Sequence, residues 1–133
     1  MGILIVDDEA LLRMLIEDLL TEEGYRVDGA ADGATALQFL QQGARPCLIF
    51  LDLMMPIMNG WEFRQQQLRD PHLATIPVVI VSAVQAGRSL NALDPAGYLP
   101  KPLDFDRLLA LAAQYCGTFK QVQRVEQGAW TYD

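Results

Sequence analysis

Five residues have the types and the spacing to handle a highly charged group together. Asp7 and Asp8 follow the apolar run Ile3–Val6, and Asp52 follows Cys47–Leu51. Ser82 follows Ile76–Val81, and Lys101 lies just past Gly97–Leu99. Three carboxylates brought together repel, and one of them tends to keep a proton unless a cation relieves the cluster. Mg²⁺ is suited to relieve it, because it takes carboxylates, a carbonyl and several waters, and it often shares a phosphate oxygen. Lys101 adds a compact positive charge and Ser82 a small hydroxyl donor. Together they describe a site for a phosphoryl group on Asp52, with each outer oxygen matched to a positive or donating partner. Each residue alone also has an ordinary reading. An Asp at a strand end turns the chain or caps a helix, and Asp7-Asp8-Glu9 would suit a helix N-terminus, where negative charge is favoured. A single Lys is usually a surface charge. Those ordinary readings must be invoked four times over to account for the set.

Positioning such a set falls to the elements around it. The runs Ile3–Val6, Tyr25–Ala30, Cys47–Leu51, Ile76–Val81 and Gly97–Leu99 are too short for stable helices. The third and fourth are almost continuously apolar, as strands buried on both faces of a parallel sheet are. Helical periodicity lies between them. Helices are predicted over Leu11–Leu20, Ala34–Gln42 (opened by Asp32-Gly33), Gly60–Leu68 and Asp104–Tyr115, the last with Asp104 as N-cap and Gly117 after its end. Between Ala86 and Asp94 the residues Gly87, Ser89 and Asn91 weaken the pattern, so a short or mobile helix is expected there. Strands alternating with helices define an α/β domain with right-handed crossovers and helices on both faces of the sheet. In such sheets ligands gather beyond the carboxyl ends of the strands, which is where the five residues fall.

Composition narrows the function. Half of the 133 residues are hydrophobic, the mark of a chain that folds around a core. The net charge of −7 argues against gripping nucleic acid through its backbone. No apolar run reaches the length of a membrane span, and the first residues lack the basic segment and cleavage site of a signal peptide. A cytoplasmic location without membrane attachment is expected. Cys47 and Cys116 follow no metal-ligand or redox spacing, so both are read as inert thiols in a reducing compartment, Cys47 buried. Residues 118–133 form a tail too short for an output domain, which favours a stand-alone unit over residues 1–117.

With these strings in order, the chain resembles the receiver domain of two-component response regulators, of the single-domain, chemotaxis-regulator-like kind, over about residues 1–117. Val6-Asp7-Asp8-Glu9 resembles that family's acidic pair, and Asp52-Leu53-Met54-Met55-Pro56 with Gly60 its acceptor loop. Ile76–Ala83 with Ser82, and Gly97-Tyr98-Leu99-Pro100-Lys101-Pro102, resemble its fourth and fifth strands. The resemblance implies a doubly wound, flavodoxin-like five-stranded parallel sheet of strand order 2-1-3-4-5. It also implies phosphorylation of Asp52 by a histidine kinase or histidine phosphotransfer protein. Asp8, Asp52 and the backbone carbonyl of Met54 would bind Mg²⁺, with Asp7 acting largely through water. Ser82 and Lys101 would hold the phosphate, Tyr98 would move inward with Ser82, and the peptide before Pro102 would be cis. The face built from the 86–94 helix, the fifth strand and the last helix would report the change, although the interval from Ser82 to Lys101 is shorter than in many relatives. The protein would be an assisting phosphoacceptor rather than an enzyme, monomeric or dimerising on phosphorylation, with an unknown downstream protein. Met54 and Val84, both apolar, flank the family's path for attacking water, so loss of phosphate should be slow.

The remaining candidates have plainer readings. His72 is expected to be a solvated loop residue and Trp61 a packing or surface residue. Leu11, Met14 and Leu15 exceed one buried helical stripe and fit a kinase-docking patch and core packing equally well. Three rival functions are weighed. A receiver fold that no longer takes phosphate, acting only as an interaction module, is the main one. An aspartyl-phosphate hydrolase would need a second carboxylate where Met54 stands. A flavin-binding domain would need a hydroxyl- and glycine-rich loop where Asp7-Asp8 stand.

Overall fold

The computed structural model describes residues 2–83, 90 and 92–118. Five strands, β1 (Gly2–Val6), β2 (Arg26–Ala30), β3 (Leu48–Asp52), β4 (Val78–Ser82) and β5 (Gly97–Pro100), form one parallel sheet in the order β2-β1-β3-β4-β5. Among the described residues four helices accompany it: α1 (Ala10–Glu22), α2 (Gly33–Gln41), α3 (Gly60–Arg69) and α4 (Phe105–Cys116). Fold class and strand order are as expected. Val84 and most of the 86–94 segment, and residues 119–133 of the tail, lie outside the described residues; Leu90 and Leu93 of that segment are buried in the core.

The alternation of side chains along a strand divides the apolar residues between two layers. Leu4, Val6, Ile49, Leu51, Val78 and Ile80 join Leu40 of α2 and Phe63 of α3 on one face. Ile3, Ile5, Leu48, Phe50, Val79 and Val81 join Ile16 and Leu20 of α1 and Leu108 and Ala112 of α4 on the other. This is why the inner strands β3 and β4 read as apolar runs up to their last residue and are buried at all five positions each. Edge strand β2 (Arg-Val-Asp-Gly-Ala) faces solvent at most positions.

Helix starts are set by short polar caps. Asp32 accepts from the Thr35 amide and Asp104 from the Arg107 amide, as the sequence signals require. Asn59 and Glu62 bond each other's backbone amides in a capping box at the start of α3. Gly60 follows that cap because nothing larger fits. A Cβ there would lie 2.4 Å from the Asp52 carbonyl oxygen, and the Gly60 amide donates to the Leu53 carbonyl at 3.0 Å. The first turn of α3 is thereby clamped against the end of β3.

One feature differs from the expectations of sequence. Cys47 and Cys116 are joined in a disulfide, not separate thiols, with their Cα atoms 5.5 Å apart. The reason is topological. Crossover helices run antiparallel to the strands, so the end of α4 returns to the edge where β3 begins, and a separation of 69 residues in sequence disappears. Helix α3 also buries polar groups. Arg64 is only 4% exposed and donates to the carbonyls of Leu93 and Asp94 and to the Gln67 amide oxygen. Gln67 in turn donates to the carbonyls of Leu73 and Ile76. The pair supplies donors to backbone that no strand or helix satisfies.

Replacing Arg64 by Leu would leave those carbonyls and the Gln67 oxygen without their donor. Chemical denaturation should register a loss of about 2–3 kcal/mol. A loss under about 0.5 kcal/mol would mean that water substitutes for the guanidinium at little cost.

Candidate functional site

Parallel strands end on the same edge, and four of the five bring a candidate polar group to it. β1 delivers Asp7 and Asp8, β3 ends in Asp52, β4 in Ser82, and β5 leads into Lys101. Register brings the last three together: Asp52 is opposite Val81, Ser82 is opposite Pro100, and the Lys101 amide donates to the Ser82 carbonyl at 3.0 Å. The Lys101–Pro102 peptide is cis.

One carboxylate oxygen from each of Asp7, Asp8 and Asp52 lies within 4.8 Å of the others. Asp7 and Asp52 are buried and Asp8 is exposed. The Lys101 ammonium sits over them, 3.1 Å from Asp7 Oδ2 and 3.6 Å from Asp52 Oδ2. It also reaches Glu9 Oε1 at 3.4 Å. Sequence alone gives Glu9 no role beyond that of a helix-cap neighbour. It stands as N-cap of α1 without a side-chain capping bond, and its carboxylate turns to Lys101 instead. Asp7 is held from two sides: its Oδ1 accepts from the Glu9 amide, and its carbonyl accepts from the Arg13 guanidinium.

The electrostatics follow from this crowding. Burial raises the Asp52 pKa, the Asp7 charge adds to it, and Lys101 offsets part, leaving Asp52 pushed up to about 6. Burial opposes the charge on Lys101, but the hydrogen bond and charge of Asp7, with Asp52 and Glu9, outweigh it and raise its pKa. The donor set of hard oxygens, two of them buried and repelling, fits a Mg²⁺ site.

The surroundings sort the other candidates. Tyr98 is half-buried with its hydroxyl 3.4 Å from the carbonyl oxygen of fully buried Ser82. The Met54 amide donates to Asp52 Oδ1 at 3.4 Å while its side chain is largely exposed. Between Met54 and α3, Ile57 has φ 68°, and the Met58 amide closes a three-residue turn on the Pro56 carbonyl. His72 is an exposed loop residue, and Trp61 packs against the core. Leu11, Met14 and Leu15 are exposed on α1 and do not belong to the core. Beside them a groove of about 500 Å³ runs between α1 and the β5–α4 connection, lined by Glu9, Leu12, Lys101, Pro102, Leu103 and Phe105.

A doubly wound parallel sheet with an acidic triad and a lysine at its carboxyl edge defines a class, and comparison with known proteins identifies the family. Residues 3–113 match the response regulator receiver domain, and the chain belongs to that family. It is 35% identical to the alkaline phosphatase synthesis transcriptional regulatory protein SphR of Synechococcus elongatus over 81% of its length, but spans only 46% of SphR. Among solved structures it resembles the chemotaxis protein CheY4 of Vibrio cholerae (TM-score 0.78, 29% identity), covering 86% of this chain and 97% of that one. It also resembles the receiver domain of the sensor histidine kinase PA1611 from Pseudomonas aeruginosa, which has a magnesium ion coordinated in its active-site cleft (TM-score 0.77, 25% identity, covering 88% and 98%). The chain is thus a receiver domain of the two-component systems, a class of phosphoacceptors. Among the described residues no helix is long and apolar enough to cross a membrane.

The raised Asp52 pKa carries a pH dependence. Between the unfolded value near 3.8 and about 6, folded Asp52 binds more protons than the unfolded chain does. Its contribution is therefore full at low pH and is lost as pH rises through about 6. In chelator, Asp52→Asn should melt above the wild type at about pH 7.5, and the gap should close near pH 5. Equal melting temperatures at both pH values would show that burial and Asp7 do not strain this carboxylate.

Proposed function

We infer that Asp52 accepts a phosphoryl group from the phosphohistidine of a histidine kinase or histidine phosphotransfer protein. The observation that carries this reading is the convergence of three carboxylates with the Lys101 ammonium 3.6 Å from Asp52 Oδ2. An Asp52 carboxylate oxygen forms the new bond to phosphorus, and the P–N bond breaks with its electrons passing to the donor imidazole. Asp8, Asp52 and the Met54 carbonyl would hold Mg²⁺, with Asp7 acting largely through water. When bound, the ion supplies positive charge for the acids and for the oxygens in transfer. Near neutral pH it would also keep Asp52 ionised, against the upward push of burial and Asp7.

Lys101 offers its ammonium to a second phosphate oxygen, exchanging contacts with Asp7 and Asp52 for the transferred group. Ser82 offers its hydroxyl to a third. These contacts exist only in the phosphorylated state, so they bias the domain toward a second packing, with Tyr98 following Ser82 inward. The product is a switch that alters contacts with a downstream protein, directly or through dimerisation. Leu11, Met14 and Leu15 supply an apolar patch for the phosphodonor close to the acceptor. The protein is an assisting phosphoacceptor, promoting gain and loss of its own phosphate, rather than an enzyme acting on other substrates. Residues 1–117 form the receiver unit and 118–133 its tail, and the location is cytoplasmic. Receiver function requires no contact with nucleic acid or membrane.

Incubation with Mg²⁺ and acetyl phosphate should add the mass of one phosphoryl group to the intact protein, and Asp52→Asn should remain unmodified. No mass gain at any Mg²⁺ concentration would leave only an interaction module. Mg²⁺ at ten times its dissociation constant should stabilise the wild type by about 1.4 kcal/mol, and Asp52→Asn by less.

Met54 cannot orient a water toward the phosphate. Met54→Asn should shorten the phosphate's lifetime several-fold, followed as decay of the modified mass. An unchanged or longer lifetime would remove Met54 from the account.

A further inference from the structure

The edge of the sheet opposite the acids carries chemistry of another kind. Cys47, at the entry to β3, and Cys116, the last residue of α4, are the only cysteines in the chain, and they are bonded to each other. Their loop of 69 residues in sequence separation encloses Asp52, Ser82 and Lys101, and leaves out Asp7 and Asp8. The bridge therefore joins the far end of the strand that carries Asp52 to the far end of the helix that follows Lys101. Two further contacts mark this as a joint between elements. The Tyr25 hydroxyl donates to the Gly117 carbonyl just beyond the bridge, and the Cys47 amide donates to the Gly2 carbonyl at 2.8 Å.

We propose that Cys47 and Cys116 form a thiol–disulfide exchange site, a redox-responsive staple that sets the stability of the receiver domain. Both sulfurs belong to the core layer shared by α1, α4 and the sheet, and the residues are 9% and 7% exposed. Cover on one side comes from the last turn of α4, which ends at exposed Gly117 with φ 82°. Fraying of that turn, with release of the Tyr25–Gly117 hydrogen bond, would admit a small reagent without unfolding the sheet. The Cα separation of 5.5 Å needs no backbone movement for either redox state.

Bond formation takes a small-molecule or protein disulfide as oxidant. One cysteine thiolate attacks that disulfide, forming a mixed disulfide and releasing one thiol. The other thiolate then attacks the protein sulfur of the mixed disulfide and releases the second thiol. Two electrons and two protons pass from the pair to the oxidant, and reduction by a dithiol reverses each step. In a compartment kept reducing by glutathione such a bond forms conditionally, so it records a change in redox state. The gain on oxidation comes mainly from restricting the unfolded chain across a long loop.

The test equilibrates the full chain in mixtures of reduced and oxidised glutathione, then quenches and alkylates it and reads the intact mass. The expected result is one two-electron transition, from two alkyl adducts to none, with the protein remaining a monomer. Thermal unfolding of the same wild-type protein should give a melting temperature roughly 10 °C higher when oxidised. This comparison needs no substitution that risks misfolding, and Cys116→Ser should give the lower temperature under both conditions. Persistent adducts at every glutathione ratio, a stable glutathione conjugate, disulfide-linked dimers or equal melting temperatures would each overturn the proposal. Because the acceptor lies at the opposite edge, acetyl phosphate should label Asp52 in both redox states. A failure of labelling would thus count against the acceptor reading and not against the staple.

Discussion

The structure depends on a balance of charge at the carboxyl edge of the sheet. Asp7 and Asp52 are almost wholly buried within a few ångströms of each other, and Asp8 stands beside them. Two buried carboxylates in contact are among the least favourable arrangements a protein can hold, unless a cation compensates them or one stays protonated. Lys101 supplies that compensation within the protein, and its incompleteness is visible in the upward displacement of Asp52. The site is thus kept in tension. It favours added positive charge, and its one lysine is shared among Asp7, Glu9 and Asp52.

Holding the cluster at this distance falls to backbone rather than side chains. Parallel register places Asp52 beside Val81 and Ser82 beside Pro100, so the polar ends of neighbouring strands arrive at one level. Gly60 lets α3 close against the Asp52 and Leu53 backbone, where a methyl group would already collide. Arg64 and Gln67 then satisfy carbonyls on both sides of β4, tying α3 to the chain that enters β4 and to the chain that leads into β5. The loop after Asp52 and the turn at Lys101 are in this way built from the same frame. The opposite edge carries the covalent tie, so the strand that bears Asp52 is held at both ends.

Exposed groups complete the functional arrangement. Leu11, Met14 and Leu15 present an apolar surface on α1, next to the groove that Glu9 and Lys101 share with Pro102 and Phe105. Side chains of this kind are costly to leave in water together and useful when a partner covers them. Tyr98, half-buried and hydroxyl-bonded to the Ser82 carbonyl, connects the interior of the site to the β5 surface.

Much of this is legible in the residues alone. The two-residue period of a strand and the 3.6-residue period of a helix are local, so the five strands, the four helices of the described residues and the caps at Asp32 and Asp104 can be read directly. The rule that parallel strands offer their carboxyl ends to ligands then gathers Asp7, Asp8, Asp52, Ser82 and Lys101 without coordinates. What local pattern cannot supply is any pairing that depends on where a helix ends in space. Cys47 and Cys116 look like separate thiols because spacing in sequence says nothing about the return of α4 to the start of β3. The inward-facing roles of Arg64 and Gln67 come only from packing, which turns both side chains toward loop carbonyls. Glu9 looks like part of a helix start, yet it binds Lys101, 92 residues away. Local chemistry chose the acidic site, and the folding of distant segments onto one another chose its supports.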